Sequence, residues 1–422
     1  MVNSTVKVNV PGLSSFDKSF KNILTTGVGT ITPIVSQLLI PGSKGHLKVS
    51  ISASLPPLAS DTFMRCNLKV EAFMVPLRLL YGGLESWLTG SQLYNFDSNS
   101  MTVAQLPRIV EYASTSHPNF APGTLADYLG YCVDHTQTTT ASAYYNIFKF
   151  LAYHRCYHDW YRSARIQRPV FVNPLIHSGS TTSFGVGHIS GLPFVSCEYI
   201  HDYQLSDTFI DGVKLGELRQ RNWGDDYFTI ATTSAQVGSA QSVSTSGGQF
   251  TIASLRASNS LQQFAERSSL ANPRLQDYVH AHYGANLNSG VAQRSILLGS
   301  ASYPVYSKGV EANSTTTATN NPFTSVGARY GNAFASGTDF VCNFECNEPA
   351  YLMVMATLVP EANYSSGVLR DCLLFTEPGS QVDLPDPLLE NVGNEPIYDS
   401  ELTGAMPSNP SGVVFGYVPR NT

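Results

Sequence analysis

Charge is what this sequence has little of. Only 13% of its 422 residues are Asp, Glu, Lys or Arg, about half the roughly 25% of an ordinary soluble domain. Ser, Thr, Asn and Gly fill the gap, a composition that suits a surface largely covered by other protein or, equally, an extracellular β protein. The formal balance is −6 at pH 7, so no global basic field draws the chain to nucleic acid. Where it meets DNA, the phosphates must be neutralised mostly by something else. Seven cysteines, an odd number without tight spacing, exclude a disulfide-stapled framework and fit small buried hydrophobes in a reducing compartment. No apolar run approaches the roughly 18 residues of a membrane span. Met1-Val-Asn-Ser-Thr-Val-Lys-Val-Asn-Val10 lacks the basic-then-apolar layout of a signal peptide, so none is expected.

Catalytic signatures are missing too. There is no Gly-x-Ser-x-Gly elbow, P-loop, Gly-x-Gly-x-x-Gly or His-Glu-x-x-His. Gly187-His-Ile-Ser-Gly191 sets its serine out of place, and Asp225-Asp226 reads as a turn cap. His154 and His158 lie four apart on one helix face, a spacing metals use. No second ligand cluster accompanies them, and helical histidines among aromatics commonly pack. His280 and His282 point apart, and Cys342 and Cys346 share a strand face at a spacing that suits packing. Neither an enzyme nor a cofactor is expected.

What is present is β alternation. In Arg65-Cys-Asn-Leu-Lys-Val-Glu-Ala-Phe-Met-Val-Pro76, Cys66, Leu68, Val70, Ala72 and Met74 fall on one face, and Arg65, Asn67, Lys69 and Glu71 on the other. That period of two marks a half-buried strand, and regular pairing should end near Pro76, which has no N–H to donate. A short helix containing Trp87 follows. Leu47–Leu55 alternates equally well. Phe340, Cys342, Phe344 and Cys346 alternate before a turn at Asn347-Glu-Pro349, and Ala350–Val359 is nearly all apolar, as in a strand buried on both faces. Helices are predicted over 143–162, 250–267 and 273–283, with Pro273 at the favoured first position, and a short one over Gly123–Gly130 closed by glycine. Thr232–Gly248 is too rich in Ser, Thr, Ala and Gly to bury a core. Residues 300–338 are similarly polar, and 360–422, with eight prolines, reads as extended. Strands near both ends separated by long insertions imply a mainly-β sandwich with elaborated loops.

Six stretches, in order, resemble the major capsid proteins of the Microviridae, the small single-stranded DNA phages, especially the gokushovirus-like branch. They are the Arg65–Gly90 strand-turn-helix, Thr124-Leu-Ala-Asp-Tyr-Leu-Gly130, Phe150-Leu-Ala-Tyr-His-Arg-Cys-Tyr-His-Asp-Trp-Tyr-Arg162, Asn222-Trp-Gly-Asp-Asp-Tyr-Phe228, the helical region from Phe250 to Gly284, and Phe415-Gly-Tyr417. The resemblance implies a viral jelly roll, eight antiparallel strands in two facing sheets with long helix-bearing insertions. It implies one capsid domain over 1–422: an extended arm (1–45), the barrel with its insertions (46–359), whose last hairpin is Phe340–Val359, and an extended C-terminal segment (360–422). It also implies pentamers closing a T=1 icosahedral shell around circular single-stranded DNA, assembled in the host cytoplasm. The partners implied are a small basic DNA-packaging protein and a scaffolding protein. Two departures stand out. Thr232–Gly248 occupies the place where relatives carry a large insertion, so a tall threefold protrusion is not expected. The basic, Tyr-rich tail of relatives is not matched after Tyr417.

For nucleic acid, Trp160-Tyr-Arg162-Ser-Ala-Arg165-Ile-Gln-Arg168 interleaves aromatics with arginines, which suits single strands. The same arginines could instead serve their helix end and subunit contacts. Lys18 and Lys21, in the basic-aromatic Phe16–Lys21, are a second candidate for the inner surface. A secreted or surface β-sandwich binding module for glycans or a receptor is the rival reading.

Overall fold

A computed structural model of the chain describes residues 15–55, 65–81, 84–90, 92–95, 100–103, 106, 108–111, 122–131, 143–164, 167, 202–203, 213–231, 252–270, 274–288, 293–311, 329–364, 366–369, 372, 394–403 and 414–419. In chain order the elements are β1 (Thr32–Leu39), β2 (Lys44–Ser54), β3 (Cys66–Pro76), α1 (Leu84–Thr89), β4 (Gln92–Asn95), β5 (Ser100–Val103), β6 (Arg108–Glu111), α2 (Leu125–Tyr128), β7 (Ala143–Asn146) and α3 (Phe148–Cys156). Then come β8 (Asp202–Tyr203), α4 (Ile252–Leu270), α5 (Leu275–Tyr283), β9 (Ile296–Glu311), β10 (Arg329–Glu345), β11 (Ala350–Pro360), β12 (Asn394–Tyr398), α6 (Asp399–Thr403) and β13 (Val414–Pro419).

The alternating strand Cys66–Pro76 is where the fold is organised. β3 pairs antiparallel with β11 along its whole length, from Cys66 opposite Pro360 to Pro76 opposite Ala350, and with the first part of β9 on its other edge. Pro76, which has no N–H to donate, is the last residue of the strand, and beyond it the chain turns through a 3₁₀ turn at Leu77–Leu79. The full antiparallel order is β1-β11-β3-β9-β10-β2. β9 and β10 are long enough to pass from one layer to the other. The first part of β9 pairs with β3, its residues Tyr306–Glu311 pair with the start of β10, and the rest of β10 pairs with β2.

Two layers result. Leu68, Val70, Ala72, Val354, Ala356, Val35 and Tyr303 face Ala335 and Cys342 of β10 and Leu47, Val49 and Ile51 of β2 across one core. The fold is thus mainly β, a sandwich of jelly-roll type with long insertions, as the sequence predicts; six strands form it among the described residues.

The period-two pattern also explains the second core. On the opposite face of the same strands, Phe73 and Val75 of β3 and Tyr351, Met353 and Met355 of β11 pack under α2 and α3, with Phe150, Leu151, Tyr153, Cys156 and Leu125. Full burial of such a side chain is worth roughly 1.5–3 kcal/mol, so this layer stabilises the sandwich from outside. It makes β11 the strand buried on both faces, as its composition predicts.

Four expectations need revision. Phe340–Val359 is no hairpin: the turn at 346–349 carries the chain between layers, β10 going to β2 and β9, and β11 to β1 and β3. Cys346 N–H donates to the Ser43 carbonyl at 2.9 Å, tying that crossing to the β1–β2 turn. The helix predicted over 143–162 begins at Phe148. Ala143–Asn146 pairs with β6 instead, and the Asn146 side chain accepts the Phe148 N–H at 2.7 Å, turning the chain into the helix. The third helix begins at Leu275 after an Arg274 cap, later than predicted; Pro273 lies outside the described residues. Within the stretch read as an extended arm, Thr32–Leu39 is a core strand along the edge of β11. Thr232–Gly248 lies outside the described residues.

Two glycines mark close approaches. A Cβ on Gly337 would sit 2.0 Å from the Tyr303 ring where β10 bulges against β2. Gly130, at φ +80°, closes α2 in the left-handed conformation.

Candidate nucleic-acid and assembly surfaces

The Trp/Arg-rich end of α3 was the first candidate for base stacking. Here the helix widens into one π turn, Tyr157–Tyr161, whose carbonyls need donors. Arginines from far along the chain supply them. Arg274 reaches the carbonyls of His158 (3.3 Å), Asp159 and Arg162 (2.9 Å), and Arg294 donates to Asp159 O at 2.6 Å. Positive charge at a helix C-terminus is favourable, and here it comes from Arg274 and Arg294 rather than from the arginines that follow Trp160 in the sequence.

Asp159 anchors the same knot. Its Oδ2 accepts from Arg155 Nε (2.9 Å) and from Ser295 N–H and Oγ–H (both 2.8 Å), and its Oδ1 lies 3.1 Å from His158 Nδ1. Burial alone would raise this carboxyl; Arg155, His158 and the Ser295 amide outweigh it and hold the group well below the usual carboxylate range. Trp160 is half-buried. Its Nε1–H donates to Ser295, and the Arg294 guanidinium stacks 3.7 Å from its ring centroid. Arg162 is buried and donates to the Gln167 carbonyl at 2.8 Å. Both residues are thus built into the subunit. Arg165 and Arg168 lie outside the described residues.

His154 has both ring nitrogens engaged: Nε2 lies 2.8 Å from Leu215 O, and Arg219 Nε donates to Nδ1 at 3.1 Å. The acceptor role at Nδ1 places the proton on Nε2. Burial, with Arg219 alongside, keeps the ring neutral. His282 is 3.0 Å from Ser268 Oγ and packs on Tyr278 and Phe264. Cys342 and Cys346 are buried in the sandwich. Among the described residues no group of His, Cys, Asp and Glu is arranged to hold a metal ion. Asp226 caps its turn as expected, with Oδ1 accepting the N–H groups of Phe228 (3.0 Å) and Thr229 (2.8 Å).

Lys18 and Lys21 differ from these buried groups. They sit on the exposed, irregular segment before β1, beside Phe16 and Phe20, which are 77% and 61% exposed, and ahead of Ile23. A hydrogen bond of 2.6 Å from Tyr128 Oη–H to the Thr25 carbonyl fixes where this segment leaves the subunit. A second apolar surface is the α4–α5 pair, where Ile252, Leu255, Leu275 and Tyr283 all stand open to solvent. Sequence reasoning marked these helices as landmarks but missed their exposure, which depends on what the rest of the chain leaves uncovered. It also missed Arg219, Arg221, Arg274 and Arg294, whose roles arise only when distant segments meet.

Comparison with known proteins fits a subunit of this kind. The sequence profile of a phage family described as "Capsid protein (F protein)" matches residues 4–249 and 227–421. Capsid protein VP1 of Spiroplasma virus 4 is 23% identical over 94% of this chain and 77% of its own length. Capsid protein VP1 of Chlamydia phage 1 is 22% identical over 96% of this chain and 81% of its own. No described helix is long and apolar enough to cross a membrane. With a mainly-β sandwich, long insertions and a family match over nearly its whole length, the chain belongs to the phage capsid protein (F protein) family and is a virion capsid protein of the Microviridae.

Proposed function

We propose that the chain assembles with copies of itself, through pentamers, into a T=1 icosahedral shell that encloses a circular single-stranded DNA genome, and that it does so without catalytic turnover. The observation that carries this reading is the amount of apolar surface a low-charge subunit leaves in water: Phe16, Phe20 and Ile23 on the segment before β1, and Ile252, Leu255, Leu275 and Tyr283 on α4 and α5. Patches of that kind mark contact surfaces, and closed symmetry supplies the partner in repeated copies.

Phosphate contact is assigned to Lys18 and Lys21, and to Arg165 and Arg168 after α3, with Trp160 and Arg162 holding the root of that segment. Since the chain carries a net charge of −6, most genome neutralisation falls to a separate small basic protein, and a scaffolding protein is the second expected partner. One domain with a leading arm, a barrel with insertions and a trailing extended segment suits this role.

Sedimentation velocity of the purified chain, with negative-stain imaging of the fastest species, tests the proposal. Pentamers or closed shells of uniform diameter are expected. A chain that stays monomeric even with its phage's other structural proteins and single-stranded DNA present would overturn it.

A further inference from the structure

The sandwich ends on two edge strands, β1 and β2. β1 has α2 beside it, with Ser36 Oγ–H donated to the Leu129 carbonyl at 3.3 Å. Along the outer edge of β2, 11 residues long, no described residue pairs. The strand holds no proline, and the one irregularity in its pairing lies in β10, between Gly337 and Phe340. A long regular edge of this kind is a template for another strand.

Which backbone groups stand open follows from the side that is paired. Just past the end of β2, Leu55 N–H donates to the Ala333 carbonyl at 2.9 Å, and just before its start the Ser43 carbonyl accepts from Cys346 N–H at 2.9 Å. Odd-numbered residues therefore turn their N–H and C=O towards β10. The alternation of the ladder then turns those of Lys44, His46, Lys48, Ser50, Ser52 and Ser54 to the open side. Side chains follow the same period. Leu47, Val49, Ile51 and Ala53 lie against the sandwich core yet stay only half-buried, an apolar strip left uncovered along the edge.

The edge is complementary to itself about Val49. A second β2 laid antiparallel across that residue overlaps all 11 positions and extends the apolar strip, with Val49 against Val49 and Leu47 against Ile51. On the outer face Lys48 meets Ser50, His46 meets Ser52 and Lys44 meets Ser54, and each of these pairs exchanges two backbone hydrogen bonds. Edge lysines commonly guard against self-pairing, but in this register none faces another. Moving the axis to position 48 sets the two Lys48 side chains against each other, a destabilising arrangement, and moving it either way shortens the overlap. Beside Ser50 lies a shallow hollow lined also by Ser52, Ser336 and Thr338, hydroxyls suited to the ammonium of the incoming Lys48. Lys44 already pairs with Glu345 at 2.9 Å, so the edge is nearly neutral and fits a protein strand better than phosphates. We propose that β2 of one subunit pairs antiparallel with β2 of a second, centred on Val49, in a twofold contact that carries one continuous sheet through two subunits. The inference rests on the shell-forming reading above and goes further by naming the surface, the partner and the register.

The test uses the full-length chain under conditions in which the unaltered protein forms shells. Ser50→Lys sets a lysine against the second copy's Lys48, and Ser50→Pro removes an N–H that faces only outward, a change edge strands tolerate; each is expected to lower the yield of closed shells by about tenfold or more. The exchanged variant K48S/S50K restores a lysine–serine pair. It is expected to bring the yield back to within about twofold, a rescue that a folding defect would not show. In shells assembled from an equal mixture of K48C and S50C chains, mild oxidation is expected to join one chain of each kind through these positions, read by mass spectrometry of the linked peptides. Normal yield from both Ser50 variants, no rescue by the exchange, or a missing mixed cross-link would each overturn the inference while leaving the shell itself standing. If the unaltered chain forms no shells, the earlier reading fails, and the mixed cross-link in the largest oligomer then decides the β2 contact by its presence or absence.

Discussion

Glu71 and Arg221, 150 positions apart, meet in a two-pronged ion pair on the outer face of β3. Arg221 Nη1 lies 2.7 Å from one carboxylate oxygen and Nη2 3.3 Å from the other. Tyr161 Oη–H donates to the same carboxylate at 2.5 Å, and the guanidinium stacks over the Tyr161 ring. By alternation Glu71 belongs to the polar face of a half-buried strand. The insertions lie over that face, so the carboxylate is only about one-sixth exposed and needs the partner that the 213–231 segment brings.

Glu71→Ala is therefore expected to cost about 2 kcal/mol, because it leaves a guanidinium and a phenol hydroxyl without their acceptor. Urea denaturation of dissociated subunits measures this. In a double-mutant cycle with Arg221→Met, most of the loss should disappear once both are changed. Strictly additive losses would show that the pair contributes little.

Acid should weaken the subunit first through His154. The ring is neutral in the folded state because burial, and Arg219 next to it, hold its pKa well below the ordinary histidine value. The Tyr153 ring packs edge-on against it, and Arg219 in turn stacks over the Tyr157 ring. The unfolded chain takes up a proton that the folded chain refuses, so stability is full above about pH 6.5 and falls as pH drops, by up to about 1.4 kcal/mol per pH unit for this group. His158, lowered by burial although Asp159 opposes the shift, acts in the same direction. Denaturation midpoints at several values between about pH 7 and pH 5 test this. His154→Gln, though less stable at pH 7, should show a flatter dependence; an unchanged slope would refute the assignment.

Lys18→Glu with Lys21→Glu should weaken single-stranded DNA binding and leave subunit stability unchanged, since both residues are exposed. If each lysine meets one phosphate, the slope of log affinity against log salt becomes shallower by about 1.4. Trp160→Ala should do the reverse, lowering stability by about 3 kcal/mol or more through lost packing and the loss of the indole N–H donated to Ser295 while the salt slope stays the same. Fluorescence titration with an oligonucleotide at several salt concentrations separates the two, and an unaltered slope in the lysine variant would remove the segment from the DNA-contacting surface.

Gly337→Ala should destabilise by about 1–3 kcal/mol, because the new methyl group enters the space of the Tyr303 ring. Tyr303→Leu is expected to recover part of that loss when combined with it, although alone it is destabilising. Thermal unfolding of the three variants checks the sign of the coupling, and no recovery in the combination would mean the strain lies elsewhere.

Much of the sandwich was legible in the sequence, because its central strands carry a strong period-two signal. Cys66, Leu68, Val70, Ala72 and Met74 are the inward residues of β3, and Ala350–Val359 is apolar on both faces because a sheet lies over one and helices over the other. β9 was not legible. Its Gly299-Ser-Ala-Ser-Tyr303 core uses small and polar residues that hydrophobicity passes over, and its pairing with β3 comes from the backbone. The false Phe340–Val359 hairpin has a similar origin, because two alternating runs across a short turn look the same whether they pair with each other or with strands in opposite layers.

The candidate site divides along the same line. Local sequence determined that Trp160 and Arg162 lie at a helix end, that Lys18 and Lys21 sit in an irregular segment, and that Asp226 caps a turn, because each depends on near neighbours. Whether those groups are free or occupied was decided by the tertiary structure, since Ser295, Arg274 and Arg294 come more than a hundred residues later to fill the hydrogen bonds of the π turn. Side-chain chemistry is written in the sequence, but the availability of a side chain depends on which distant donors and acceptors the fold brings to it.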